Sequence, residues 1–200
     1  MARYTGPKDR LSRRENFDLF GKGAKLTRLA QTPGMHGPKG SMRAPSQYGR
    51  QLREKQKMKR FYGLMERQFA KYVEEALKSR GNTGNALFGI LESRLDNVVY
   101  RLGFAKSRPQ ARQMVTHRHV LVNGKRVNIP SYRLKIGDTV ALNQSAMEIP
   151  NVSKLLANKE PDVPGWLKRK AGAGVIARAL KREDIKEMIN ESDIIEFYSR

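Results

Sequence analysis

From Gln51 onward the chain alternates polar and apolar positions with the period of a helix. In "QLREKQKMKRFYGLMERQFAKYVEEALKSRG", Phe61, Leu64, Met65, Phe69, Tyr72, Val73, Ala76 and Leu77 fall near one face. That spacing buries one stripe of a helix and leaves the other in water. Gly63 is expected to break or kink the run, and Gly81 to stop it. After the loop "GNTGN", the stretch "NALFGILESRLDNVVYRLGF" spaces Leu87, Ile90, Leu91, Leu95, Val98, Val99 and Leu102 for one amphipathic helix ending near Gly103. Ser107, followed three residues later by Gln110, has the form of a capping box and predicts another helix start. In that helix Ala111, Met114 and Val115 face inward, while Arg108 and Arg112, four apart, project together from the opposite face.

Beyond His119 the period shortens. "HVLV-NG-KRVNI" sets Asn123-Gly124 between two β-prone runs, a strong signal for a type I′ hairpin. "YRLKIGDTVAL" predicts a turn at Gly137-Asp138 and a further strand. "NVSKLLANKEPDVPGWL" predicts a short helix and a Pro-rich connection, and "REDIKEMINESDIIEFYSR" a short helix and a terminal strand from Ile194 to Tyr198. No internal repeat occurs.

Charge changes this picture. Forty Lys and Arg oppose nineteen Asp and Glu, a formal net charge of +21. Self-repulsion of that size works against a compact state, so a neutralising polyanion is expected. Nucleic acid is the first candidate. A membrane surface is disfavoured, because no apolar run approaches the roughly 20 residues of a spanning helix. Residues 1–60 hold sixteen Lys/Arg against four Asp/Glu, and "TPGMHGPKGSMRAPSQYG" is dense in Gly and Pro. Such a segment buries too little surface to order itself. It reads as an arm that orders against a polyanion, with Tyr4, Phe17, Phe20 and Tyr48 available to stack on bases. The chain carries no cysteine, hence no disulfide framework and no thiolate metal site.

Chemical sites are weak. His117 and His119 would point the same way on a strand, but the only other histidine is His36, and a metal site needs more ligands. Imidazoles at a helix end beside Arg118 suit phosphates or bases better. "GAGVIA", Gly172 to Ala177, matches the dinucleotide fingerprint but follows "PGWLKRKA", which does not read as the buried strand the fingerprint requires. "RLD" at Arg94–Asp96 resembles the catalytic triplet of pseudouridine synthases without that family's continuation, so Asp96 reads as a structural or electrostatic carboxylate. No Walker motif, G-x-S-x-G elbow or H-E-x-x-H occurs. The chain reads as non-catalytic.

The segment "LESRLDNVVYRLGFAKSRPQARQMVTHRHVLVNGKRVNIPSYRLKIGD" closely resembles the αL-type RNA-binding domain of the bacterial ribosomal protein four family of the small subunit. "ARYTGP", "LSRRE", "PGMHG", "YGRQLREKQKMKRFYG", "ERQF", "WL" and "INESDIIEFYSR" are similar to that family's motifs in the same order. Two departures stand out. Asp9 and Ser12 occupy the first two positions where many members carry zinc-binding cysteines, so the resemblance is to the cysteine-less, zinc-free subtype, without a cofactor. Lys168, Arg169 and Lys170 follow Trp-Leu, where the family usually has an acidic residue.

The resemblance implies an α+β fold: a mainly helical domain with an extended basic N-terminal arm, and an inserted αL-type domain of helices on a small, mostly antiparallel sheet. The expected boundaries are an arm over 1–48, a helical domain over 49–91 completed by 160–200, and an αL-type domain over 92–155. It implies a cytoplasmic constituent of the small ribosomal subunit that binds its RNA, nucleates assembly of the body, and contributes to the channel by which mRNA enters and to decoding accuracy. Small-subunit RNA, mRNA and small-subunit protein five are the implied partners. Expected RNA contacts are Arg3, Arg10, Arg13 and Arg14 in the arm, and Tyr48, Arg50, Arg53, Lys55, Lys57, Arg60 and Arg67 in the first helices. Arg108, Arg112, His117, Arg118, His119, Lys125 and Arg126 complete the set. Lys39, Arg43 and Arg50 are the expected mRNA contacts. Residues 183–199 carry six carboxylates against Lys186 alone, so a protein interface at Glu191, Asp193, Ile195 and Phe197 is expected there. The competing readings are a stand-alone RNA chaperone and an RNA-modifying enzyme; neither accounts for the matching arm and C-terminus.

Overall fold

The computed structural model describes residues 4–23, 26–37, 44–158, 162–185, 187 and 189–199. The chain divides into two units, Met1–Gly84 with Glu187–Arg200, and Asn85–Lys186.

The first unit begins with α1 (Lys8–Glu15), which corrects, over these residues, the expectation of an arm that orders only against a polyanion. The physical reason lies just after it. Leu19 and Leu26 are buried, and Phe17 meets Phe61 edge-on at 6.3 Å between ring centroids. Helix α2 (Gln47–Phe61) starts at Ser46, whose hydroxyl accepts the Gly49 N–H at 3.2 Å. It ends where the sequence predicts: Gly63 takes φ 64°, a conformation that favours glycine. Helix α3 (Glu66–Lys78) follows, and Phe69, Tyr72, Val73 and Ala76 are its buried stripe.

The single helix expected over Asn85–Phe104 is two: α4 (Thr83–Glu92) and α5 (Leu95–Arg101). The break comes from distant residues. Tyr132 and Pro130 carbonyls accept the Leu95 and Asp96 N–H groups, and the Ser93 carbonyl accepts the Leu134 N–H. Pairing with 130–134 thus outcompetes continued helix at Ser93–Arg94.

In the second unit, α6 (Arg108–Thr116) is capped by Ser107, whose hydroxyl accepts the Gln110 N–H, while the Gln110 side chain accepts the Lys106 N–H at 3.0 Å. Strands β1 (Val120–Val122) and β2 (Lys125–Arg126) flank Asn123 and Gly124, at φ 49° and 80°, the turn the sequence predicts. Then come β3 (Thr139–Leu142), α7 (Gln144–Met147) and α8 (Pro150–Leu156). β4 (Leu167–Lys170) and β5 (Ala173–Ile176) complete an antiparallel sheet of order β2-β1-β3-β5-β4. Valines, leucines and Trp166 pack beneath it with α5 and α6.

This places 162–185 with the sheet rather than with the helical domain, a difference from the expected boundaries. "LKRK" is a strand after all, and "GAGVIA" runs mostly along β5 instead of opening a helix. Gly174 is required because a Cβ there would strike Leu102. The chain returns to the first unit with α9 (Glu191–Tyr198), a helix where a strand was expected. Ile194, Ile195, Phe197 and Tyr198 follow a helical i, i+1, i+3, i+4 pattern, and Asn190 caps the start by accepting the Ser192 N–H.

Candidate nucleic-acid interface

Helix α6 buries Ala111, Met114 and Val115 as expected, but its opposite face is not the pair of projecting arginines the spacing predicts. Asp96, nearly buried, accepts Arg94 through both oxygens at 3.0 and 2.6 Å, and Arg112 at 3.2 Å. Arg94 itself is 1% exposed. Glu92 accepts Arg101 at 3.0 and 2.7 Å and the Asn97 amide at 2.6 Å; Asn97 in turn accepts the Arg108 Nε–H at 2.9 Å. The Arg108 guanidinium lies over the Tyr100 ring at 4.5 Å. Arg108 and Arg112 are therefore partly structural, held by α5: Arg112 by the Asp96 carboxylate, Arg108 by the Asn97 amide oxygen and the Tyr100 ring.

The uncompensated charge lies just beyond. The chain leaves α6 through His117 and Arg118, with Arg118 at φ 63°, and both side chains are exposed. His119 is half-buried, its Nδ1 enclosed without a hydrogen-bond partner among the described residues, and its ring stands 6.1 Å from that of His117. Lys125 and Arg126 on the hairpin are exposed, as are Arg133 and Lys135, which periodicity did not single out. The hairpin is fixed by Asn123, which donates to Asp138 at 2.8 Å and accepts the Thr139 N–H at 2.9 Å. The Lys135 N–H and then the Asn123 amide hold the Asp138 carboxyl below its usual range. On this rigid edge Arg118, Lys125 and Arg126 have no ion pair among the described residues, the arrangement that phosphate binding uses.

The first unit differs. Arg10 and Arg14 are exposed on α1, and Arg67 on α3. Arg13 donates to the carbonyls of Gln31 and Thr32. Glu15 accepts Arg53 at 3.2 Å and also Arg60. Burial pushes the Glu15 carboxyl up, against the pull of those arginines. Lys55, expected on the surface, is buried: it bonds Glu66 at 2.7 Å and stands 4.6 Å from the Phe197 ring centroid. Lys57 pairs with Glu54 at 3.1 Å. Arg50 is well exposed, 3.6 Å from Asp193, and the half-exposed Tyr48 ring rests 5.7 Å from Phe197. Arg3, Lys39 and Arg43 lie outside the described residues.

Helix α9 is held by the same helices. Glu196 accepts Gln51 at 2.6 Å, and the Tyr198 hydroxyl donates to Glu66 at 2.8 Å. Burial opposes ionisation of Glu66, but the hydrogen bonds from Lys55, Lys59 and Tyr198 prevail and bring its pKa to about 2. Burial, then the Glu66 hydrogen bond, raises the Tyr198 phenol, which stays a donor. Asp193 is buried, bonded by the Asn190 amide at 3.1 Å, whereas Glu191 and Ile195 are half-exposed.

Among the described residues no group of three His, Asp or Glu is placed to hold a metal ion, and no helix is long and apolar enough to cross a membrane. Residues 3–92 match the ribosomal protein S4/S9 N-terminal domain, and residues 93–140 the S4 domain. Over its whole length the chain is 48% identical to the small ribosomal subunit protein uS4A of Symbiobacterium thermophilum, also covered in full. With full coverage of both chains, it is 50% identical to the uS4 protein of Dictyoglomus thermophilum and 47% to that of Polaromonas naphthalenivorans.

Proposed function

The chain belongs to the ribosomal protein S4 family, and from that premise we propose that it binds small-subunit ribosomal RNA early and nucleates assembly of the subunit body. It is a non-enzymatic structural constituent of the small ribosomal subunit, in the cytoplasm. The observation that carries the reading is the set of exposed side chains after α6 and on the hairpin: Arg118, Lys125 and Arg126, with the His117 imidazole beside them, on a rigid edge. They suit the folded backbone of an RNA, whose shape is recognised through phosphate and 2′-hydroxyl contacts. His119, Arg108 and Arg112 support this edge from behind. Arg10, Arg14 and Arg67, with Arg3 and Tyr48, supply further RNA contacts from the arm and first helices.

Arg50, with Lys39 and Arg43, is proposed to face mRNA where it enters the subunit. Glu191 and Ile195, half-exposed on α9, are proposed to meet protein five and to link this chain to decoding accuracy; Asp193 and Phe197 hold α9 in place behind them. Substituting Arg118→Ala with Lys125→Ala tests the central claim. Binding to small-subunit RNA should weaken and its salt dependence become shallower, with thermal unfolding unchanged. Unaltered affinity and salt slope would remove this edge from the interface.

A further inference from the structure

The open face of the sheet is a further feature, which shares only Arg126 with the edge just described. Registered pairs carry one row across all five strands: Arg126 beside Leu121, Leu121 beside Ala141, Ala141 beside Ala173, and Ala173 beside Lys170. A shorter row runs Thr139, Val175, Lys168. Strand β4 sorts its basic triplet by alternation. Arg169 turns to the covered side, where it donates to the Leu102 carbonyl at 2.9 Å and the Leu155 carbonyl at 3.1 Å, over the Phe104 ring. Lys168 and Lys170 turn outward, exposed, and neither is in an ion pair among the described residues.

Neither row contains a carboxylate or an aromatic ring. Small half-buried side chains therefore form the middle, and cations stand at both ends. Four inter-strand steps separate Arg126 from Lys170, about 19 Å at the usual strand spacing. The lack of rings argues against unpaired bases, which stack on aromatics. Two alanines, a threonine, a valine and a leucine also offer little to a protein partner, whose interface core favours aromatic anchors. A smooth, shallow, cation-bordered strip instead matches the wide shallow groove of double-helical RNA, read by shape and phosphate position.

We propose that this sheet face is a second RNA-contact surface, seating a double-helical segment with its shallow groove over Ala141 and Ala173 and its phosphates on Arg126, Lys168 and Lys170. The proposal rests on the RNA-binding reading above and adds a surface and an RNA form to it.

The test uses the full chain and, as probe, a mixed-sequence RNA duplex of ~20 base pairs, long enough to span the dsRNA contacts typical of shape readers. Lys168→Ala with Lys170→Ala should weaken binding and flatten the log–log salt slope by about 2, one per lost phosphate contact, with the melting temperature unchanged. Ala141→Glu, which puts a carboxylate mid-row, should weaken binding further; the lysine pair decides the matter if that variant misfolds. A duplex of DNA with the same sequence should bind less tightly, and equal binding overturns the groove fit. If the lysine pair changes nothing while Arg118→Ala with Lys125→Ala still weakens binding, this face is excluded and the RNA-binding reading stands. If neither pair matters, both fail. Crosslinks from Lys170 to protein alone in assembled subunits overturn the proposal in favour of a protein neighbour.

Discussion

Helix α2 and the β1–β2 hairpin carry similarly basic sequence, yet their charges do different work. In α2, Arg53 and Arg60 meet Glu15, Lys55 and Lys59 meet Glu66, and Lys57 meets Glu54. At the hairpin, Arg118, Lys125 and Arg126 have no carboxylate among the described residues. A phosphate approaching α2 must displace an existing partner, whereas one approaching the hairpin displaces only water and salt ions. Net charge counts cations; it does not count the free ones. The basic run from Arg53 to Arg60 in α2 is of the paired kind.

The largest expected effect lies where charge is internal. Asp96→Ala leaves Arg94 buried without its bidentate partner and takes a carboxylate from Arg112 as well. Removing one member of a buried pair costs about 3–5 kcal/mol, and the melting temperature should fall accordingly. A change within a degree or two would show that Arg94 finds water or another partner. Leu19→Ala should cost about 2–4 kcal/mol, as a fully buried leucine in a packed site does. For the same reason, deleting 1–48 should destabilise the protein, because it removes α1, Leu19, Leu26 and the buried end of Glu15 together. A truncated chain that melts with the full one would mean this packing does not form in solution.

How much of this was legible in the sequence divides along the same line. Local devices were readable: the Ser107 cap, the Asn123-Gly124 turn and the glycine stop after α2 all declare themselves within a few residues. Features imposed from a distance were not. The helix break at Ser93–Arg94 is made by 130–134, and the burial of Lys55 by Glu66 and α9. The strand expected from Ile194 to Tyr198 is a helix, because its four apolar residues fall at i, i+1, i+3, i+4 and close one helical face on α2 and α3. At the site, the residue types were right and the pairing was hidden. Glu15, 38 and 45 residues from its arginines, carries no local signal.

The contrast is sharpened by pairing two variants. Arg118→Ala with Lys125→Ala should flatten the salt slope of RNA binding by about 2, at roughly one per phosphate contact. Lys55→Met should leave that slope unchanged and act on stability alone, since the ammonium is enclosed by Glu66 and Phe197. A slope change for Lys55→Met would mean α2 opens to phosphate on binding, and the comparison between the two regions would collapse.

The smallest effect is a pH signature of the internal kind of charge. Glu66 has a folded pKa of about 2 against 4.5 for the ordinary carboxyl. A depressed carboxyl pKa gives stability that is present above the unfolded value and lost as pH falls through the folded one. The contribution of Glu66 should therefore be full above pH 4.5 and gone below about pH 2. The Glu66 side chain is 47% exposed, so solvent screening holds its worth to about 1 kcal/mol or less. Glu15 runs the other way: its carboxyl is raised by burial, so its contribution declines as pH rises above 4.5 and falls in a separate window. Melting curves of the native protein and Glu66→Gln from pH 5 to pH 2 decide the point. The native chain should melt higher at pH 5, and the two curves should converge on acidification. A gap that stays constant would show that Glu66 holds α2 and α9 by shape and neutral hydrogen bonds, and that the charges of α2 are not anchored there by the carboxylate.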